Sequence, residues 1–86
     1  MYGNFTSERG EIMYYYHRLK DLREDRTYKI DQAEIAELLN TTQQTYSNWE
    51  TGKREIPFHH VITLAKYYGV SIDYIAGLTN KKRGGK

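Results

Sequence analysis

Between Asp31 and Gly52 the chain carries two stretches with helical spacing, Gln32 to Leu39 and Gln43 to Thr51, separated by a connection of only two or three residues. No other feature restricts the fold so strongly. In the first stretch Ile35, Ala36 and Leu39 form an apolar stripe. Asp31 stands where an N-cap carboxylate accepts a backbone N–H and favours the helix dipole, and Asn40 follows at the left-handed closing position. In the second, Thr42 is placed to cap, Tyr46 and Trp49 lie three apart on the apolar side, and Gly52 ends the helix. A connection this short leaves room only for a tight corner, so the spacing predicts a helix-turn-helix over about residues 31–51.

The flanking chain is helical in pattern too. Tyr15, Leu19 and Leu22 recur at helical spacing with charged residues between them, which predicts helix 1 from about Ile12 to Asp25. Arg26 to Ile30 breaks that pattern. After Pro57, Val61, Ile62, Leu64, Ala65 and Tyr68 mark helix 4, stopped by Gly69. Ser71 caps a short helix 5 containing Ile72 and Ile75, and Gly77 closes it. Runs with period-two alternation of β-branched residues are missing, so the expected class is all-α with five helices. The expected organisation is a flexible N-terminal extension over residues 1–11, one domain over 12–79, and a disordered basic tail over 80–86.

Composition narrows the function classes. With 86 residues, 38% of them hydrophobic, there is room for one modest core and no separate catalytic module. No apolar run approaches the roughly 20 residues that span a bilayer, and no basic start leads into an apolar stretch, so a cytoplasmic location is expected. The absence of cysteine excludes a disulfide framework and a thiolate zinc site. The formal charge of +2 is uneven: Lys81, Lys82, Arg83 and Lys86 leave nine basic against eleven acidic groups in residues 1–80. Overall charge therefore announces no nucleic-acid partner, and any such reading rests on local arrangement. No nucleophile paired with a base and no carboxylate pair at useful spacing is present, so no enzyme is expected.

Four collinear blocks carry a resemblance. They are Arg18-Leu19-Lys20-Asp21-Leu22-Arg23, Gln32-Ala33-Glu34-Ile35-Ala36-Glu37-Leu38-Leu39, Tyr46-Ser47-Asn48-Trp49-Glu50-Thr51-Gly52-Lys53-Arg54, and Leu64-Ala65-Lys66-Tyr67-Tyr68-Gly69-Val70-Ser71-Ile72-Asp73-Tyr74-Ile75. The stretch from Arg18 to Gly77 resembles the Cro/C1-type (XRE-like) helix-turn-helix family of phage and bacterial regulators. Within it, Thr41-Thr42-Gln43-Gln44 is similar to the recognition-helix start of lambdoid phage repressors. The resemblance implies a five-helix, lambda-repressor-like DNA-binding domain whose helix 3 lies in the major groove while helix 2 braces it. It also implies a sequence-specific transcriptional regulator of double-stranded DNA, a repressor, acting as a homodimer on a pseudo-palindromic operator. No cofactor, metal, membrane or small-molecule ligand enters that reading. The alternative is a protein-interaction module such as an antitoxin or anti-repressor using the same fold.

The residues agree with the DNA reading. Gln43 and Gln44 occupy the first turn of helix 3, and a glutamine amide donates and accepts together, matching the adenine edge. Ser47 and Asn48, one turn on, are the further candidates for base contact. Gln32 at the start of helix 2, with Thr42 and Thr45, supplies candidate donors to phosphate. The resemblance adds Lys53 and Arg54 along the sugar-phosphate chain, and pairs Arg23 with Glu50 inside the fold.

Several positions depart from the family pattern. The loop between helices 1 and 2 is about two residues longer than usual, and Asp31 replaces an uncharged cap. Tyr46 replaces an aliphatic residue, so its buried hydroxyl needs a partner. Phe58 stands where similar phage repressors carry a minor-groove arginine. His59 and His60 are read as a solvated helix start whose rings point to different faces, and the nine tyrosines chiefly as partly buried core.

Overall fold

Capping residues set the starts of three helices in this chain. The computed structural model describes residues 4–6, 12–14, 16–25 and 27–83. Two strands, β1 (Asn4–Thr6) and β2 (Ile12–Tyr14), precede five helices: α1 (His17–Glu24), α2 (Gln32–Leu38), α3 (Gln43–Glu50), α4 (Phe58–Tyr68) and α5 (Ile72–Ala76). Asp31 accepts the Glu34 N–H at 2.9 Å while the Glu34 carboxylate accepts the Asp31 N–H at 3.1 Å, a reciprocal capping box at the start of α2. Thr42 and Ser71 likewise cap α3 and α5 through their hydroxyls. Asn40 closes α2 at φ 59°, and Gly69 and Gly77 close α4 and α5 at φ 70° and 84°. These left-handed positions are where the sequence expected them.

The start of the domain differs from expectation. Ile12–Tyr14, assigned above to helix 1, pairs antiparallel with Asn4–Thr6, with Phe5 opposite Met13, and α1 begins only at His17. Ile12, Tyr14, Phe5 and Thr6 are β-branched or aromatic types that suit a pleated surface, so local preference competes with the helical stripe. Tyr15, the first member of that stripe, lies outside the described residues, as do residues 1–3 and 7–11 of the expected extension and 84–86 of the expected tail. The five helices still make an all-α helix-turn-helix fold, with the hairpin placed before it in the chain.

Residues 80–83 also differ from the expected loose tail. Arg18 on α1 donates to the carbonyls of Tyr74 and Thr79, each at 3.0 Å, and to Asn80 Oδ1 at 2.7 Å. Its guanidinium also lies 4.1 Å from the centroid of the Tyr74 ring. Further on, the Lys82 carbonyl accepts the Ser71 N–H, and the Lys82 ammonium lies 3.6 Å from Asp25. The segment has no apolar residue to anchor it, but its Asn80 side chain and Lys82 carbonyl each find a donor on the domain.

The core is formed by Leu19 and Leu22 of α1, Ile35, Ala36 and Leu39 from α2 and its end, Tyr46 and Trp49 of α3, and Val61, Leu64, Ala65 and Tyr68 of α4. Ile56, Val70 and Ile75 complete it. The loop after α1 is tied down by Tyr28, whose hydroxyl donates to the Tyr68 carbonyl at 2.7 Å and whose ring meets that of Tyr68 edge-on at 4.9 Å. Lys29 turns the loop in a left-handed conformation, φ 48°. Among the described residues no helix is long and apolar enough to cross a membrane.

The left-handed corner gives a direct test. Asn40→Gly should hold or raise stability, whereas Asn40→Val should lower it by about 1–2 kcal/mol, because a β-branched side chain is forced into the left-handed region. Urea melts of the two variants check the sign of each change.

Candidate nucleic-acid interface

Helix α3 is divided lengthwise. Tyr46, Trp49 and Glu50 are buried, while Gln43 and Gln44 are exposed and Ser47 and Asn48 are partly so. With about 3.6 residues per turn, Gln44 and Asn48 sit one turn apart on the side opposite the buried stripe. What orients the helix is an acid in the core. Glu50 is 3% exposed and accepts four hydrogen bonds: Arg23 Nε at 2.8 Å, an Arg23 terminal nitrogen at 2.9 Å, Gln32 Nε2 at 2.9 Å and the Tyr46 hydroxyl at 3.0 Å.

Burial alone would raise the Glu50 carboxyl, but the hydrogen bonds from Arg23, Gln32 and Tyr46 outweigh it and hold the group below its ordinary value. Burial, and then the Glu50 charge, pushes the Tyr46 hydroxyl far up, so it remains a donor. The bidentate Arg23 fork is itself raised, first by its bond to Glu50. The structure thus brings Arg23 and Glu50 together, gives Tyr46 the partner its hydroxyl requires, and joins α1, α2 and α3 through one carboxylate.

Gln32 also has a partner inside the fold. One proton of its amide Nε2 goes to Glu50, and the second is left over. No pattern in the sequence links positions 18 residues apart, so this bond was invisible before the helices met. The two threonines also separate in function. Thr42 accepts the Thr45 N–H at 3.1 Å and gives its own proton to Thr45 Oγ1 at 2.9 Å, leaving Thr45 with the hydroxyl proton available for an external acceptor.

The loop after α3 is pinned to it. The Arg54 N–H donates to the Asn48 carbonyl at 3.1 Å, and Gly52, at φ 85°, turns the chain back with its N–H on the Trp49 carbonyl. Lys53 and Arg54 are exposed beside the end of α3. Phe58, the first residue of α4, is 63% exposed. The His59 and His60 rings, expected on different faces, lie 4.0 Å apart, and His60 rests 5.0 Å from the Trp49 ring. Burial, then the neighbouring His59, lowers the His60 imidazole. Among the described residues no group of three His, Asp or Glu is placed to hold a metal ion.

A short helix laid across another, with an exposed amide-rich face and basic residues at its end, defines a helix-turn-helix domain. A family model described as helix-turn-helix matches residues 19–75, and the chain belongs to this family, in its Cro/C1-type (XRE-like) branch. It is 33% identical over 66 residues to an uncharacterized HTH-type transcriptional regulator, YobD, of Bacillus subtilis strain 168. That match covers 77% of this chain and 57% of the relative's length, so the chain spans somewhat over half of that relative. No solved structure matches the chain.

Replacing Glu50 tests the centre of this arrangement. Glu50→Gln should cost about 3–5 kcal/mol at neutral pH, because it leaves the Arg23 charge without its counter-ion. The depressed carboxyl contributes stability that is complete above the unfolded glutamate value of about 4.3 and is lost as pH falls through the lower folded value. Urea melts from pH 7 to pH 2 should show that acid-side loss in the parent protein, and a shallower one in Glu50→Gln.

Proposed function

We propose that this protein is a cytoplasmic, sequence-specific transcriptional regulator of double-stranded DNA, a repressor that places α3 in the major groove and acts as a homodimer. The observation that carries the reading is the division of α3. Its inward side is locked by the Glu50 cluster, and its outward side offers Gln43, Gln44, Ser47 and Asn48 on a rigid support. Glutamine amides present a donor and an acceptor together, and adenine offers the complementary pair in the major groove.

Phosphate contacts fall to Thr45, Lys53 and Arg54, with the Gln32 and Thr42 backbone at the helix starts. The first N–H groups of α2 and α3 have no partner within their own helices apart from those their caps satisfy, and they suit an anion. One recognition helix reads only a few base pairs, so a second copy on an inverted half-site about one helical turn away supplies affinity. Occupancy of a promoter is then the mechanism, with no chemical step. The family match and the name of the Bacillus subtilis relative support a regulator of transcription.

Selection of binding sites from random duplexes at near-physiological salt tests this. An inverted repeat with adenine in its half-sites is expected, and the selected duplex should bind far more tightly than a scrambled one. Equal, weak binding to both would move the surface to a protein partner. Lys53→Ala and Arg54→Ala should each lower the slope of log K against log salt by about 1 and leave base preference unchanged.

A further inference from the structure

In the first turn of α4 the His59 and His60 rings lie 4.0 Å apart, and His60 lies 5.0 Å from the ring of Trp49 at the end of α3. His59 is exposed, His60 is half-buried, and Trp49 is 9% exposed. The contact of His60 with Trp49 joins the two ends of the connection 51–57, which carries Lys53 and Arg54. The first half of that connection is held by backbone bonds, from Gly52 to the Trp49 carbonyl and from Arg54 to the Asn48 carbonyl, and Ile56 is buried in the core. From Ile56 to Val61, the next buried residue, the chain has no fully buried side chain, and His60 is what reaches back to α3.

A proton is poorly placed on His60 in this arrangement. The first turn of a helix is its positive end, a proton on the adjacent His59 ring repels one on His60, and contact with Trp49 removes part of the ring from water. Burial, then His59, lowers the imidazole accordingly. From α3 the neighbouring acid is Glu50, whose oxygens are taken by Arg23, Gln32 and Tyr46. From the connection come Lys53, Arg54 and Glu55, all exposed, two cations against one anion, and α4 adds Lys66 further along. The opposing effect is the attraction of an imidazolium for an indole face. A closed state that disfavours the proton favours opening once the proton is bound, because the two equilibria are linked.

We propose that His60 is an acid-released latch on the connection between α3 and α4. Neutral, it lies on Trp49 and closes the segment that carries Lys53 and Arg54; protonated, it leaves Trp49 and frees the start of α4. The latch stands apart from the DNA reading and is tested on the protein alone.

Trp49 is the single tryptophan of the chain, so its emission reports on the contact directly. Full-chain protein would be titrated from about pH 8 to about pH 4.5, the span in which histidine changes charge, with emission maximum, intensity and acrylamide quenching followed together. One transition is expected, with its midpoint below the ordinary histidine value of about 6.5. On its acid side the maximum should move to the red and acrylamide quenching should rise about twofold, with helix content by circular dichroism unchanged. His17 titrates over the same span, so variants assign the transition. His60→Phe keeps a ring on Trp49 with no proton to gain, and should abolish the transition with Trp49 still protected. His60→Gln removes the ring, and should leave Trp49 open to acrylamide at every pH. His59→Gln removes the repelling neighbour, and should move the midpoint up toward about 6.5.

The proposal is overturned if the parent protein shows no transition, if the transition survives in His60→Phe, or if helix content is lost along with it. A midpoint at or above about 6.5 also overturns it, because attraction to the indole then wins and the proton tightens the contact. Intensity that changes while the maximum and acrylamide quenching stay fixed is protonation in place, with no opening. A His59→Gln midpoint equal to that of the parent, or a His60→Gln protein whose Trp49 is as protected as the parent's at neutral pH, counts against it equally.

Discussion

One carboxylate organises the domain. Glu50 is taken out of water at the end of α3, and the energetic penalty of that burial is offset only because Arg23, Gln32 and Tyr46 all donate to it. Each donor comes from a fixed place: α1, the first turn of α2, and α3 itself. A buried ion pair is a modest source of net stability, but it is exacting about geometry. Here that exactness sets the angle and rotation of α3 against its neighbours. An apolar core alone would tolerate several rotations of so short a helix.

The outward face inherits its order from that inward lock. Because Tyr46, Trp49 and Glu50 must point in, Gln44 and Asn48 must point out, and their mutual hydrogen bond is formed on a surface that does not roll. Gly52 and the Arg54 backbone then return the chain along the end of the helix, so two basic residues are carried at a set distance from the amides. Elements far from α3 serve the same end. Arg18 fastens the segment after α5 onto α1, and Tyr28 fastens the α1–α2 loop onto the end of α4. Both contacts hold α1, and therefore Arg23, in place.

Local chemistry made much of this legible beforehand. The caps at Asp31, Thr42 and Ser71 and the left-handed positions at Asn40, Gly52, Gly69 and Gly77 depend on neighbours within a few residues, so they could be read from the chain. The need of Tyr46 for a partner was legible as a requirement, since a phenol carries its polar atom wherever it is buried. Its partner was not. The hairpin of Asn4–Thr6 and Ile12–Tyr14 was missed because a stripe at helical spacing extends into residues that also favour strands. Competition between two local patterns is decided by pairing, which spacing does not record.

What the sequence by itself determined is the set of five helices, their ends apart from the start of the first, the tight corner between the second and third, and the amide-rich stretch from Gln43 to Asn48. All of these follow from interactions within one or two turns of chain. Tertiary structure alone decided that the Gln32 amide donates to Glu50, that the His59 and His60 rings lie together beside Trp49, and that Asn80 and Lys82 bond back onto the domain. Each is a contact of a polar or aromatic group with something distant in the chain or brought near by packing. A side chain with several hydrogen-bonding possibilities takes the one that burial makes costly to leave unmet, and burial exists only once the helices have come together.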